Sequence, residues 1–261
     1  MTKMLGTKKP EGLYRLSEGD IKNIERLMKE LEKQKPKKEA KKTGPKNEVQ
    51  PESPIITPNS DSWLIENDEY KIKLSKSLIS PETQEHQINN YLANTSSLKL
   101  ANYQEIFLIG KILLDNNPTQ KDEILSFLRN SFQKYWIQTA SGVLYKPKAG
   151  DLIIHDKGMP SEYSFEADFV GPDRIMEKAD ETISAKLTGL DNLDEINKVS
   201  SFLADRDKTY LFRLNSKPEK NDYMIAGFYA GSGRASLDCS GDPQYSGSGL
   251  GVNVEKKFYR K

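Results

Sequence analysis

Ile21, Ile24, Leu27, Met28 and Leu31 recur at the spacing of one helix face with lysine and glutamate between them, and Ser17 with Asp20 precedes them in the manner of a capping box. The pattern predicts an amphipathic helix over residues 18–33. From 34 to 60 the periodicity stops. Five prolines (Pro36, Pro45, Pro51, Pro54, Pro58) and a cluster of lysines leave too little apolar surface to offset the entropy of ordering, so a disordered linker is expected there.

Patterning resumes near Trp63. Tyr70, Ile72 and Leu74 alternate, which predicts a hairpin over 64–75 around Asn67 and Asp68. Ser80 and Pro81 signal a helix start, with Ile88, Tyr91 and Leu92 as its apolar side. A second helix is predicted over 101–116. A third follows Pro118 and Thr119, with Ile124, Phe127, Leu128 and Phe132 inward. Trp136 to Ala140 and Val143 to Tyr145 read as a hairpin turning at Ser141 and Gly142, and Leu152 to His155 as a further strand.

Two more helices are expected, one carried by Ile175, Met176, Ala179, Ile183 and Leu187, the other by Leu193, Ile196, Val199, Phe202 and Leu203. After Arg206 only strands are predicted, over 210–215, 223–230, 234–239 and 250–254, as an antiparallel meander. The fold class is therefore α+β, helices first and an antiparallel sheet at the C-terminal end. The organisation predicted is residues 1–60 as helix plus linker and 61–261 as one ligand-binding domain.

Charge supports that division. The net charge of +1 conceals a basic N-terminal fifth, with fourteen Lys or Arg against eight Asp or Glu in residues 1–50. Its lysines lack the interleaved aromatic residues of a nucleic-acid surface and are read as a solvated tail, while the helix before them is a candidate for self-association. Lys3, Lys8, Lys9 and Pro10 interrupt the first fifteen residues, so no secretion signal is expected. The longest apolar run, Ile106 to Leu114, is far below the ~20 residues that cross a bilayer. A single cysteine, Cys239, forms no internal disulfide, and a cytoplasmic setting is expected.

Composition shifts sharply near the end of the chain. Between Asn221 and Gly249, eighteen of twenty-nine residues are Tyr, Ser, Gly, Asp or Asn, with no Lys or Glu and one Arg, Arg234. Tyrosine gives large amphipathic contact area at low rotamer entropy, and small polar residues give adaptable hydrogen bonding, as in antibody paratopes. Period-two alternation sets Ala235, Leu237 and Cys239 on one face of a strand and Ser236 and Asp238 on the other. Likewise Phe228 is expected inward and Tyr229 outward.

Phe212 to Pro218, Ile225 to Phe228, Ala230, Leu237 to Cys239, Pro243 and Leu250 to Val252 together resemble the fixed positions of variable proteins made by diversity-generating retroelements, especially those of small-genome archaea and bacteria. The resemblance covers about the last fifty positions well and the body from about Asn102 loosely. It implies a C-type lectin-like fold on which the intervening positions are diversified to bind a ligand. Asp222, Tyr223, Tyr229, Gly231, Ser232, Arg234, Ser236, Asp238, Ser240, Asp242, Tyr245, Ser246 and Ser248 are then the displayed residues. Phe212 stands where that pattern has tryptophan, and Asn253 where arginine often follows Gly-Val. The calcium-binding tripeptides of sugar-binding lectins are missing, so neither calcium nor a default sugar ligand is implied, and a protein ligand is expected.

Catalytic alternatives need convergent groups. Cys239, His155 and an acid would have to meet to act as a nucleophilic triad. His86 and His155 have no partner at metal-ligand spacing, and no cofactor is expected. Asp151, Glu166 and Asp168, with Asp156 and Asp173 nearby in sequence, would have to share a pocket to bind a divalent metal for hydrolysis of a phosphodiester. The glycines of Gly247 to Gly251 are followed by no phosphate-binding lysine or helix start. The leading expectation is a non-enzymatic binding protein; a metal-dependent hydrolase or nuclease and a structural assembly protein are the alternatives.

Overall fold

The computed structural model describes residues 54–93, 98–116, 118–147, 150–156, 165–168, 174–213, 218–231 and 233–257, with the backbone alone at 165–168, 174, 179 and 213. The expected N-terminal helix over 18–33 and the linker up to residue 53 lie outside them. Among the described residues the chain is α+β. The strands are β1 (Ile55–Pro58), β2 (Ser62–Glu66), β3 (Tyr70–Glu82), β4 (Lys99–Leu100), β5 (Ile137–Tyr145), β6 (Asp151–His155), β7 (Phe165–Asp168), β8 (Arg174–Ile175), β9 (Thr209–Arg213), β10 (Asp222–Gly231), β11 (Arg234–Gly241) and β12 (Gly247–Lys256). The α-helices are α1 (Gln84–Ala93), α2 (Tyr103–Asp115), α3 (Lys121–Lys134), α4 (Glu181–Thr188) and α5 (Leu193–Ala204), with a 3-10 turn at Lys178–Asp180.

All twelve strands join one mixed sheet, ordered β1-β2-β3-β12-β5-β10-β11-β9-β8, with β6 on β5, β7 on β6 and β4 on β12. The core lies between its inner face and helices α2, α3 and α5, whose apolar stripes supply Phe107, Leu113, Leu128, Phe132, Val199 and Leu203. Phe228 of β10 is the centre of an aromatic cluster, edge-on to Tyr103, Phe107 and Phe132 at ring-centroid distances of 6.5, 5.8 and 4.8 Å. Asn102 caps α2 by a complete capping box with Glu105.

Helix α1 covers the opposite face of β5, and its buried glutamines tie it down. Gln84 donates to the carbonyls of Thr139 and Ser141 at 2.6 and 3.1 Å, and Gln87 to those of Ser80 and Gly247, both at 2.8 Å. β5 is consequently buried on both faces along its whole length.

Several expectations are corrected. β1 starts at Ile55, inside the stretch expected to be linker, and its Pro58 is tolerated because β1 is an edge strand. Three strands precede the first described helix, so the order is not helices first. β3 runs through Pro81, and α1 starts only at Gln84, after Thr83. Ser141 and Gly142 make no turn: β5 passes straight through, because β6 and β10 pair with its two edges there. Gly142 serves instead to admit the Tyr223 ring, which a Cβ would strike. Ile175 lies in β8, not in a helix, since its segment pairs with β9 ahead of α4. The C-terminal sheet is not a pure antiparallel meander: β9 and β11 are parallel, and so are β5 and β12. No helix among the described residues is long and apolar enough to cross a membrane.

Candidate functional site

Burial along β11 alternates from Arg234 to Ser240. Ala235, Leu237 and Cys239 are fully buried, while Ser236, Asp238 and Ser240 are half-exposed and Arg234 is exposed. Register extends this outer row sideways. Tyr229 of β10 stands opposite Ser236, and on the other side Tyr210 and Phe212 of β9 stand opposite Ser236 and Asp238. Tyr229 is exposed, and the Tyr210 and Phe212 rings lie 6.2 Å apart. The Arg234 guanidinium sits over the Tyr210 ring at 4.3 Å, which holds its charge flat against the sheet.

Trp136 completes the face from the end of α3. Its indole lies across Gly227 and Gly241, where a Cβ at either position would collide with the ring. Its Nε1 donates to Asp238 Oδ2 at 3.0 Å, and Asp238 Oδ1 accepts from the Ser240 amide at 2.8 Å and its hydroxyl at 2.6 Å. The backbone beneath is fixed at an irregularity between Ile225 and Gly227. There the Thr139 hydroxyl donates to the Ala226 carbonyl at 2.6 Å. The buried Tyr103 hydroxyl donates to the Gly227 carbonyl and accepts the Asp238 amide at 3.2 Å. Burial holds the Tyr103 phenol well above the ordinary tyrosine range, so it stays a neutral donor and acceptor.

The nominated residues divide as follows. Tyr229, Arg234, Ser236, Asp238 and Ser240 share the outer face. Asp242, Tyr245 and Ser246 occupy the exposed turn between β11 and β12, where Asp242 Oδ1 accepts the Gln244 amide at 2.9 Å and Tyr245 is three-quarters exposed. Gly231 ends β10, and its carbonyl accepts from Arg206 Nε at 3.1 Å. Ser232 lies outside the described residues.

Tyr223 is not displayed: α1 covers it, and its hydroxyl donates to Gln84 Oε1 at 3.0 Å. Burial pushes its phenol well up. Asp222 and Ser248 lie off the face too, because their register partners, Tyr145 and Ile137, belong to the core. Partial burial raises the Asp222 carboxyl above its ordinary value, and the charge of Asp242 adds to this. Trp136, Tyr210 and Phe212 belong to the face as well, beyond the residues that the resemblance implies. The alternation of Tyr210, Leu211 and Phe212 is the signal that marks two of them.

The groups considered for catalysis are placed differently. Cys239 is fully buried in the core. His155 is sealed as well. The Ser141 hydroxyl, which accepts the Tyr103 amide at 2.9 Å, lies 2.7 Å from His155 Nδ1, and His155 Nε2 lies 3.2 Å from the Lys186 carbonyl. Both ring nitrogens are therefore occupied, and neither reaches Cys239. Burial lowers the His155 pKa, so the ring is neutral, donating through Nε2 and accepting at Nδ1. Asp151, fully buried, stands opposite Asp168 on the β6–β7 ladder, and Glu166 opposite Ile153. Among the described residues, no three His, Cys, Asp or Glu side chains are grouped so as to hold a metal ion. No protein-family model, no curated protein and no solved structure matches the chain.

Proposed function

We propose that the chain is a non-enzymatic binding protein that meets a protein ligand with the outer face of β10, β11 and β9 and the adjoining β11–β12 turn. One observation carries this reading. Among the described residues, exposed Tyr229 and half-buried Trp136, Tyr210 and Phe212 are interleaved with Ser236, Asp238 and Ser240, over strands whose other face is buried. Aromatic anchors among small polar groups, with lysine and glutamate absent from residues 221–249, have the composition of interface cores. The Arg234 guanidinium is engaged by the Tyr210 ring, which disfavours a polyanionic ligand.

The resemblance to retroelement-diversified variable proteins fits the same surface and implies a C-type lectin-like scaffold. It is supported by solvent-facing outer positions set on a framework held by Tyr103, Thr139 and Trp136. A photoreactive amino acid at Tyr229 or Tyr245, introduced in the cells that make this protein, tests the reading. A discrete protein adduct is expected from these positions and not from Glu85 on exposed α1. Equal labelling at Glu85, or no adduct at either face position, removes it.

A further inference from the structure

A cleft of about 1160 Å³, sharing no residue with the sheet face, opens between α2, the paired ends of β3 and β12, and the loop after α4. Its size suits a small organic ligand. At its floor Lys99 Nζ lies 2.9 Å from Glu105 Oε1 and 2.6 Å from Asp156 Oδ1. Asn102 holds the far oxygens of both acids, its amide donating to Glu105 Oε2 at 2.9 Å and its side chain to Asp156 Oδ2 at 2.7 Å. The three charged side chains are only 11–18% exposed, and Asp156 keeps a left-handed backbone, φ 53°, that a non-glycine residue seldom adopts. Buried ionised groups and local backbone strain both oppose stability, and they cluster where a fold is shaped for a ligand.

Charge defines the ligand class. One ammonium between two carboxylates leaves the floor with a net negative charge. Among the described residues the whole cleft has five carboxylates against three lysines. At the rim Lys111 pairs with both Glu195 and Asp115, which together with Asp191 leave the rim net negative, and Lys256 lies over the Tyr70 ring. Besides the acidic floor and the rim acids Asp191 and Glu195, the lining includes the aliphatic side chains of Leu108, Leu190 and Val254 and the ring of Tyr91. A bare divalent metal is disfavoured because the Lys99 ammonium occupies the centre of the carboxylate pair and offers no lone pair. We propose that this cleft binds a linear aliphatic di- or polyamine, its ammonium groups at the acidic ends and its methylenes against Leu108, Leu190 and Val254.

Calorimetric titration of the full chain with spermidine at physiological salt tests this, with glutarate and magnesium as comparison probes. Saturable 1:1 binding of spermidine alone is expected. Asp156→Asn, which keeps the side-chain shape and tolerates the left-handed backbone, is expected to weaken it at least about tenfold. The rim pair Asp191→Asn with Glu195→Gln, which leaves the floor intact, is expected to weaken it too. Absence of saturable spermidine binding, tighter binding of glutarate or magnesium, or unchanged affinity in the rim variant overturns the proposal. The sheet-face reading stands or falls separately, on the cross-linking pattern at Tyr229.

Discussion

Trp136 Nε1 donates to Asp238 Oδ2 at 3.0 Å, which links the end of α3 to the middle of the outer row of β11. The same carboxylate accepts both the amide and the hydroxyl of Ser240. Asp238 is thus a framework residue standing on a contact surface, although its position in the alternation marks it only as exposed. Asp238→Ala removes three hydrogen bonds to one carboxylate. It is expected to cost about 2 kcal/mol in urea unfolding and to shift the Trp136 emission to longer wavelength. An unchanged midpoint and spectrum would show that the contact does not order the indole.

Gly227 and Gly241 are needed for the close approach of that indole. Gly227→Ala is expected to destabilise the chain by about 1–3 kcal/mol, because Trp136 must leave its seat or the strand must shift. Gly233, at a left-handed turn with φ 80° but with open space around it, is the comparison position. Alanine there is expected to leave the Trp136 emission unchanged. A matched spectral change in both variants contradicts the assignment.

Tyr103 supplies the hydrogen bonds that the ladder lacks beside Gly227. Tyr103→Phe keeps the ring packing against Phe107 and Phe228 while leaving a buried carbonyl and a buried amide without that partner. The expected loss is about 1–3 kcal/mol, together with faster amide exchange at Asp238. Unchanged exchange at Asp238 would place the bridge outside the stabilising framework.

His155 gives a signed pH dependence. Burial lowers its folded pKa below the ordinary 6.5, with the Lys186 carbonyl, Asp156 and Lys99 as the other groups acting on it. Its contribution to stability is complete above pH 6.5. Below that value the unfolded chain takes up a proton that the folded chain refuses, so stability is lost as pH falls through the folded pKa. Urea midpoints of the wild type are expected to fall between neutral and mildly acidic pH more steeply than those of His155→Gln. Parallel slopes contradict a neutral buried imidazole. Glu105, whose pKa burial raises, acts in the opposite direction: its contribution is lost as pH rises through its folded value.

The sequence made some of this architecture legible and hid the rest for physical reasons. Alternation over residues 235–239 marked β11 and its two faces, because period-two burial is imposed locally by the strand itself. Helical spacing found α2, α3 and α5 for the same reason. Register was not legible: nothing in Tyr210 or Ser236 alone says that β9 runs parallel to β11, and that pairing adds Tyr210 and Phe212 to the face. Gly142 reads equally as a turn or as a space for a neighbour, and only the Tyr223 ring decides between them. Tyr223 itself looked exposed because its cover, Gln84, comes from a helix 139 residues earlier. The Lys99, Glu105 and Asp156 cluster joins three separate segments and left no local signature.

Sequencing sibling alleles of this gene, with any imperfect repeat of its 3′ end, tests the central claim most directly. The account predicts substitutions concentrated at Tyr229, Arg234, Ser236, Ser240, Asp242, Tyr245 and Ser246, with Tyr223, Gly227 and Phe228 unchanged. Substitutions scattered evenly over residues 63–254, or found equally at Tyr223 and Phe228, would contradict it.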